Sequence, residues 1–267
     1  MDILSFFTGG LPAWSLLVIC PLLFVAGFVD AIGGGGGLIS LPAYLLCGLD
    51  PHLVIGTNKL SSSLGTAVAT AKYARTGYMV WWLCGLSAIT ALAGSTLGSH
   101  LSLVASPSFL TVFMLVALPV IGFYVLFKRD LGVGDPAGGM TYSRRRTALL
   151  SMAIALVVGV YDGFYGPGTG TFLMLLLTGV AKIDVFKAAG VTKAINLTTN
   201  VTALTVFLAN GTVLVGLGLA GGAFNIAGNY LGARMFSRKG ASIVRPIALV
   251  VIVVFAIRLV LQLAGIA

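Results

Sequence analysis

The chain has 267 residues, 58% of them hydrophobic and only 9% charged, with a mean hydropathy of +1.06. A soluble domain carries roughly a quarter charged residues, so a water-soluble fold of this length is excluded and the chain reads as an all-α integral membrane protein. The formal charge of +9, from 16 Lys+Arg against 7 Asp+Glu, would raise nucleic acid as a partner of a soluble protein. In a membrane protein it belongs first to topology, because basic residues collect in cytoplasmic loops, and no nucleic-acid partner is expected.

In chain order, the N-terminal segment lacks the basic stretch and small-residue cleavage site of a signal peptide and is expected to stay in the mature protein. A helix is expected over 12–32, then a break at the run Gly33 to Gly37, a short apolar helix over 38–48, and long helices over 51–75, 79–101 and 107–127. A polar linker, 128–146, follows. The second half repeats the order with helices over 147–165, 170–180, 184–208, 213–235 and 246–264, its break lying in Gly166-Pro167-Gly168-Thr169-Gly170. The domain reading is a first membrane repeat over 1–127, a cytoplasmic linker over 128–146 and a second membrane repeat over 147–267. Cys20, Cys47 and Cys84 sit in apolar runs without metal-ligand spacing, so they read as packing residues, and no metal or cofactor is expected.

The halves align residue by residue: Asp30 with Asp162 at an offset of 132, then Lys59 with Lys193 at 134. The 134 offset also superposes Gly94, Leu97 and Gly98 on Gly228, Leu231 and Gly232. Basic residues fall near Lys72 and Arg75, through Lys128 to Arg146, at Lys182 and Lys187, and from Arg234 to Arg245. They share one side if each short helix folds back to the face from which its partner entered. Equivalent loops then differ in basicity, as the positive-inside rule requires of two inverted-topology repeats, each a broken-helix hairpin plus three transmembrane helices. Both termini are expected to be extracytoplasmic. The helix over 12–32 could cross the bilayer alone whereas 38–48 covers about half of it, a mismatch that tilt or a break at Pro21 would reconcile.

Lys59, Lys193 and Arg258 fall inside the membrane in this topology. A cation at the bilayer centre costs at least ~2.5 kcal/mol, which makes such a residue a site candidate. Lys59 and Lys193 lie roughly 12–14 Å along their helices, near the midplane. Pairing with Asp30 and Asp162 is a structural alternative for both, and a packing role is open for Arg258. The glycine runs break helices at depth, where irregular backbone belongs around a cavity or inside protein. The short helices that begin near Leu38 and Thr171 would aim free N–H groups and positive dipole ends inward. Thr57, Asn58, Ser61, Ser62 and Ser63 surround one lysine; Thr192, Asn196, Thr199 and Asn200 surround the other. The candidate substrate-binding residues are therefore Gly34, Gly35, Gly36, Gly37 and Leu38, with Thr57, Asn58, Lys59 and Ser62, in the first half. In the second they are Gly166, Gly168, Thr169, Gly170 and Thr171, with Thr192, Lys193 and Asn196. Asp30, Asp162 and Arg258 are candidates for coupling or charge balance. The expected ligand is a small oxyanion.

The strings GFVDAIGGGGGLISLPAYLLCGLDPHLVIGTNKLSSSLGT and YDGFYGPGTGTFLMLLL with TKAINLTTN resemble the two halves of the sulfite exporter TauE/SafE family, and the likeness spans essentially the whole chain. The resemblance implies a bacterial inner-membrane transporter that exports sulfite, sulfoacetate or other organosulfonates, with no enzymatic activity. It places the site at Gly34 to Gly37, Thr57, Asn58, Lys59, Gly166 to Gly170, Thr192, Lys193 and Asn196. The expected partners are a small sulfur-containing anion and the lipid bilayer, with a coupling proton or cation and homo-oligomerisation left open. A passive anion channel would use the same cations. An intramembrane aspartyl protease would use Asp30 and Asp162, but the GxGD context is missing and repeat symmetry already accounts for the pair.

Overall fold

The computed structural model describes residues 3–113, 116 and 140–239. The expected helix over 246–264, the rest of 107–127, most of the linker and Arg258 lie outside the described residues. The described chain is helical: α1 Ile3–Thr8, α2 Trp14–Gly33, α3 Gly37–Leu46, α4 Pro51–Arg75, α5 Trp81–Val104, α6 Arg144–Phe164, α7 Thr169–Gly179, α8 Val185–Ala209 and α9 Val215–Lys239. The six-residue α1 was not expected from the sequence. Three of these helices, α2, α5 and α6, are long and apolar enough to cross a membrane. On them Leu17, Ile89, Leu149 and Val157 are each largely exposed, an arrangement suited to lipid and not to water.

Helix boundaries follow from local chemistry and repeat between the halves. Asp50 caps α4 by accepting the His52 N–H at 2.9 Å, and Asp184, its mate at offset 134, caps α8 by accepting the Phe186 N–H at 2.9 Å. α2 runs unbroken through Pro21; the expected break there does not occur, since neighbouring helices can satisfy backbone groups freed by proline within a membrane bundle. The chain turns instead at the glycines. Gly34 adopts a left-handed φ of 76° and donates its N–H to the Asp30 carbonyl, and Gly166 and Gly168 adopt φ of 99° and 77°. These conformations strain any residue with a Cβ.

The halves are interlaced. α5 of the first packs along α6 and α8 of the second, α9 of the second packs along α2 and α4 of the first, and α4 and α8 meet at the centre. Glycines set these contacts. A Cβ on Gly94 or Gly98 would come within 2.3 and 2.0 Å of the carbonyl oxygens of Leu156 and Val160. On Gly228 or Gly232 it would meet those of Phe24 and Phe28 at 2.0 and 2.4 Å. Phe24 and Phe28 precede Leu156 and Val160 by 132 residues, the offset that also aligns the aspartates.

α7 doubles back along α6: the Thr141 N–H donates to the Lys182 carbonyl at 3.3 Å, and Met140 bridges to Ile183. At this end Tyr73, Tyr78, Phe186 and Phe236 form an aromatic cluster with ring centroids 5.2 to 6.4 Å apart. The Arg144 guanidinium stacks 4.6 Å from the Trp82 ring. Lys72, Arg75, Lys182, Lys187 and Arg234 flank these residues in sequence, so the basic ends of α4, α6, α8 and α9 gather together. At the opposite end the Leu214 N–H donates to Thr57 Oγ1 at 3.0 Å and α1 leans on Gly216; residues 3–8, 49–57 and 209–216 there contain no Lys or Arg.

Candidate functional site

Lys59 and Lys193 each stand nine residues into a 25-residue helix, which carries them to the middle of the bundle. They are only 1% and 3% exposed. An ammonium stripped of water needs a partner, and each lysine finds it in the other half. Lys59 Nζ lies 2.9 Å from Asp162 Oδ2, and Lys193 Nζ lies 2.9 Å from Asp30 Oδ2.

The surroundings of the two pairs differ. Lys59 also donates to Asn200 Oδ1 at 3.1 Å, and Asn200 Nδ2 donates to Asn196 Oδ1 at 3.1 Å. Asp162 Oδ1 lies 2.7 Å from the Thr169 hydroxyl, which is also 2.7 Å from the Gly166 carbonyl. Lys193 donates in addition to the backbone carbonyl of Asp30, the same oxygen that ends α2 by accepting from Gly34. Thr66 Oγ1 reaches Asp30 Oδ2 at 3.4 Å.

The two glycine breaks touch backbone to backbone: a Cβ on Gly34 would lie 2.3 Å from Gly170 Cα, and one on Gly37 would lie 2.9 Å from Pro167 Cα. Thr171 fastens them by donating to the Gly33 carbonyl at 2.6 Å. Beside them is a small polar cavity of about 20 Å³, enough for about one water molecule. Of the residues singled out from the sequence, Gly34, Gly36, Gly37, Asn58, Lys59 and Ser62 line it from the first half, as do Gly166, Thr169 and Asn196 from the second. Asp30 and Asp162 line it too.

Other candidates sit elsewhere. Gly35, Gly168 and Gly170 shape the breaks without lining the cavity, Leu38 joins an apolar cluster with Leu41 and Tyr44, and Thr57 is occupied by Leu214. Thr192 is buried, and its hydroxyl has no hydrogen-bond partner among the described residues. Lys193 is turned to Asp30 and stays outside the lining. Two residues absent from the candidate set join the wall, Asn200 and Asn225. Asn200 shares a helix face with Asn196 four residues earlier, a usable signal. Asn225 had none, because its repeat mate is Ala91. Asn225 is held by donating to the Leu23 carbonyl at 3.2 Å and accepting from Asn229 at 2.8 Å.

Two lysines and two aspartates sum to zero formal charge, so the centre is neutral, with amide, hydroxyl and ammonium groups facing the cavity. A polar centre enclosed by apolar helices of this length defines a polytopic membrane protein built around a buried site. The chain belongs to the sulfite exporter TauE/SafE family, whose profile matches residues 19–259, and it is a membrane transporter. It is 37% identical over 236 residues to the probable membrane transporter protein ORF9 of Sinorhizobium sp, a match covering 88% of each chain. A probable membrane transporter protein of Haemophilus influenzae is 33% identical over 239 residues, covering 88% of this chain and 90% of the relative. The probable membrane transporter protein YfcA of Escherichia coli K12 is 31% identical over 261 residues, 92% of each chain. No solved structure matches the chain.

Proposed function

We propose that the protein exports small sulfur-containing anions, such as sulfite, sulfoacetate or other organosulfonates, by alternating access around the central cavity. The observation that carries this reading is the Lys59 ammonium, buried on a cavity wall with Asn58, Asn196 and Asn200 beside it. Ammonium and amide N–H groups are the donors that charge-assisted binding of an oxyanion uses, and glycine at the breaks lets an anion approach the backbone. Asp30 and Asp162 balance the charge when the anion is absent; Arg258 is a further candidate for that role.

The interlaced contacts and the gathering of basic residues at one end support two inverted repeats, 1–127 and 147–267, joined by a cytoplasmic linker over 128–146. The basic end faces the cytoplasm of a bacterial-type plasma membrane and both termini lie outside. Rocking of interlaced repeats about a midplane site would open it to each side in turn. The burial of Lys59 and Asp162 favours this carrier over a passive channel, which requires a continuous wet path. The protease reading loses its support because each aspartate is paired with a lysine, leaving no carboxylate dyad.

The test is thermal unfolding of the detergent-purified protein with sulfite, sulfate, thiosulfate, sulfoacetate, taurine and acetate. A ligand that binds only the folded state raises the melting temperature with occupancy. At least one sulfur anion is expected to stabilise the parent and to fail with Lys59→Ala; no stabilisation by any of them removes the anion site.

A further inference from the structure

The two ion pairs are repeat mates, yet their partners differ in kind, and that difference divides their roles. Lys59 is held by side chains only, the Asp162 carboxylate and the Asn200 amide oxygen, and all three groups line the cavity. Side-chain acceptors can rotate away when a ligand oxygen arrives. Lys193 is held partly by a backbone carbonyl, that of Asp30, which also closes the last turn of α2. Releasing it would strip a carbonyl at the negative end of a helix dipole, and its ammonium does not line the cavity.

The aspartates differ as well. The Thr169 hydroxyl stands 2.7 Å from both Asp162 Oδ1 and the Gly166 carbonyl, but a hydroxyl carries one hydrogen. With Asp162 ionised, that hydrogen serves one acceptor. With Asp162 protonated at Oδ1, the carboxyl donates to Thr169 and Thr169 donates to Gly166, so both contacts carry a hydrogen. Asp30 has no such relay: the first break offers Gly35 and Gly37 at the positions matching Thr169. The charged groups around Asp162 are Lys59 from α4 and, across the cavity, Asp30 from α2 with its partner Lys193 from α8; Tyr161 adjoins it on α6, and the Ser95 backbone of α5 lies against the neighbouring Gly163.

Resting on the anion-transport reading above, we propose that Lys59 is the cation the substrate takes over and that Asp162 gains one proton as it gives Lys59 up. The Lys193–Asp30 pair is a structural tie that stays closed. The charges balance. A monovalent anion brings one negative charge to a neutral site, and a proton from the aqueous phase, bonded to Asp162 Oδ1, restores neutrality without breaking any bond of the anion. A dry site that stays neutral avoids the cost of a buried uncompensated charge, so anion and proton bind together.

The test measures binding of methanesulfonate, a monovalent sulfonate that does not titrate in the range used, to the whole protein in detergent between pH 5 and 9, with sulfoacetate in parallel. One coupled proton makes parent affinity fall by up to about tenfold per pH unit as pH rises. Asp162→Asn, which imitates the protonated carboxyl, is expected to bind with no pH slope, whereas the charge-neutral double variant Lys193→Gln with Asp30→Asn keeps the parent's slope. Lys59→Gln is expected to lose about tenfold or more in affinity. The Lys193→Gln, Asp30→Asn double variant is expected to remain within about threefold of the parent while its ligand-free melting temperature drops. Should Lys59→Gln fail to fold because it strands Asp162, the double variant Lys59→Gln with Asp162→Asn removes both charges and is expected to show the same loss. A slope that survives Asp162→Asn or vanishes in the Lys193→Gln, Asp30→Asn double variant overturns the proton assignment, and equal affinity losses for the two charge-neutral double variants overturn the division between the lysines. If neither sulfonate stabilises the parent, the anion site itself is wrong and the inference falls with it.

Discussion

A lysine 1% exposed inside an apolar bundle survives only because a carboxylate meets it, and removing one member of such a pair typically costs about 3–5 kcal/mol. The same intolerance extends to the backbone beside the charges. Gly34 has a φ of 76° and stands where an added Cβ would come within 2.3 Å of Gly170 Cα, so it meets both reasons for glycine at once. Gly34→Ala is expected to destabilise the protein by about 1–3 kcal/mol through strain and forced separation of the breaks, read as a lowered melting temperature in detergent. Gly77→Ala, with a φ of 77° but open space around it, isolates the strain component and should cost less.

At the scale of elements, the long helices approach closely because small residues let backbones touch. Gly94 and Gly98 seat α5 against α6, and Gly228 and Gly232 seat α9 against α2, at positions related by the repeat. Gly98→Leu and Gly232→Leu are therefore expected to lower stability by similar amounts, about 1–3 kcal/mol or more each. Because they act at separate interfaces, the double variant should show nearly the sum. Unfolding of the detergent-solubilised single and double variants measures this. The polar helices α4 and α8 depend on the same seating, since α9 and α5 lie against them and α9 supplies Asn225 to the cavity wall.

For the whole molecule, the distribution of charge sets the orientation. Thr76 follows α4 at the basic end, and Asn210, its mate at offset 134, follows α8 at the end without Lys or Arg. In inverted repeats these two turns lie on opposite sides of the membrane. Thr76→Cys is expected to react with a membrane-impermeant maleimide only after cells are opened, and Asn210→Cys to react in intact outer-membrane-permeabilised cells. The native Cys20, Cys47 and Cys84 are buried, so background labelling should be low. Labelling of both turns from the same side would end the inverted-repeat reading.

Much of this was legible in the residues themselves. Hydropathy and helix punctuation located the helices over most of the described chain, since apolar length and glycine breaks are local properties. Internal alignment paired Lys59 with Lys193 and Asp30 with Asp162, marking both as site candidates before any geometry was known. The short α1, the continuity of α2 through Pro21, and the cavity face of Asn225 were not legible, because each depends on what packs alongside. The interlacing of the halves belongs to the tertiary structure as well. Sequence symmetry makes Lys59 equivalent to Lys193, but only the fold carries each lysine to the aspartate of the other half, and only it gives one a movable carboxylate and amide and the other a fixed carbonyl. Composition determines that charges buried in a membrane must be compensated; three-dimensional contact decides by which group, and so which of two equivalent residues is free to exchange its partner for a ligand.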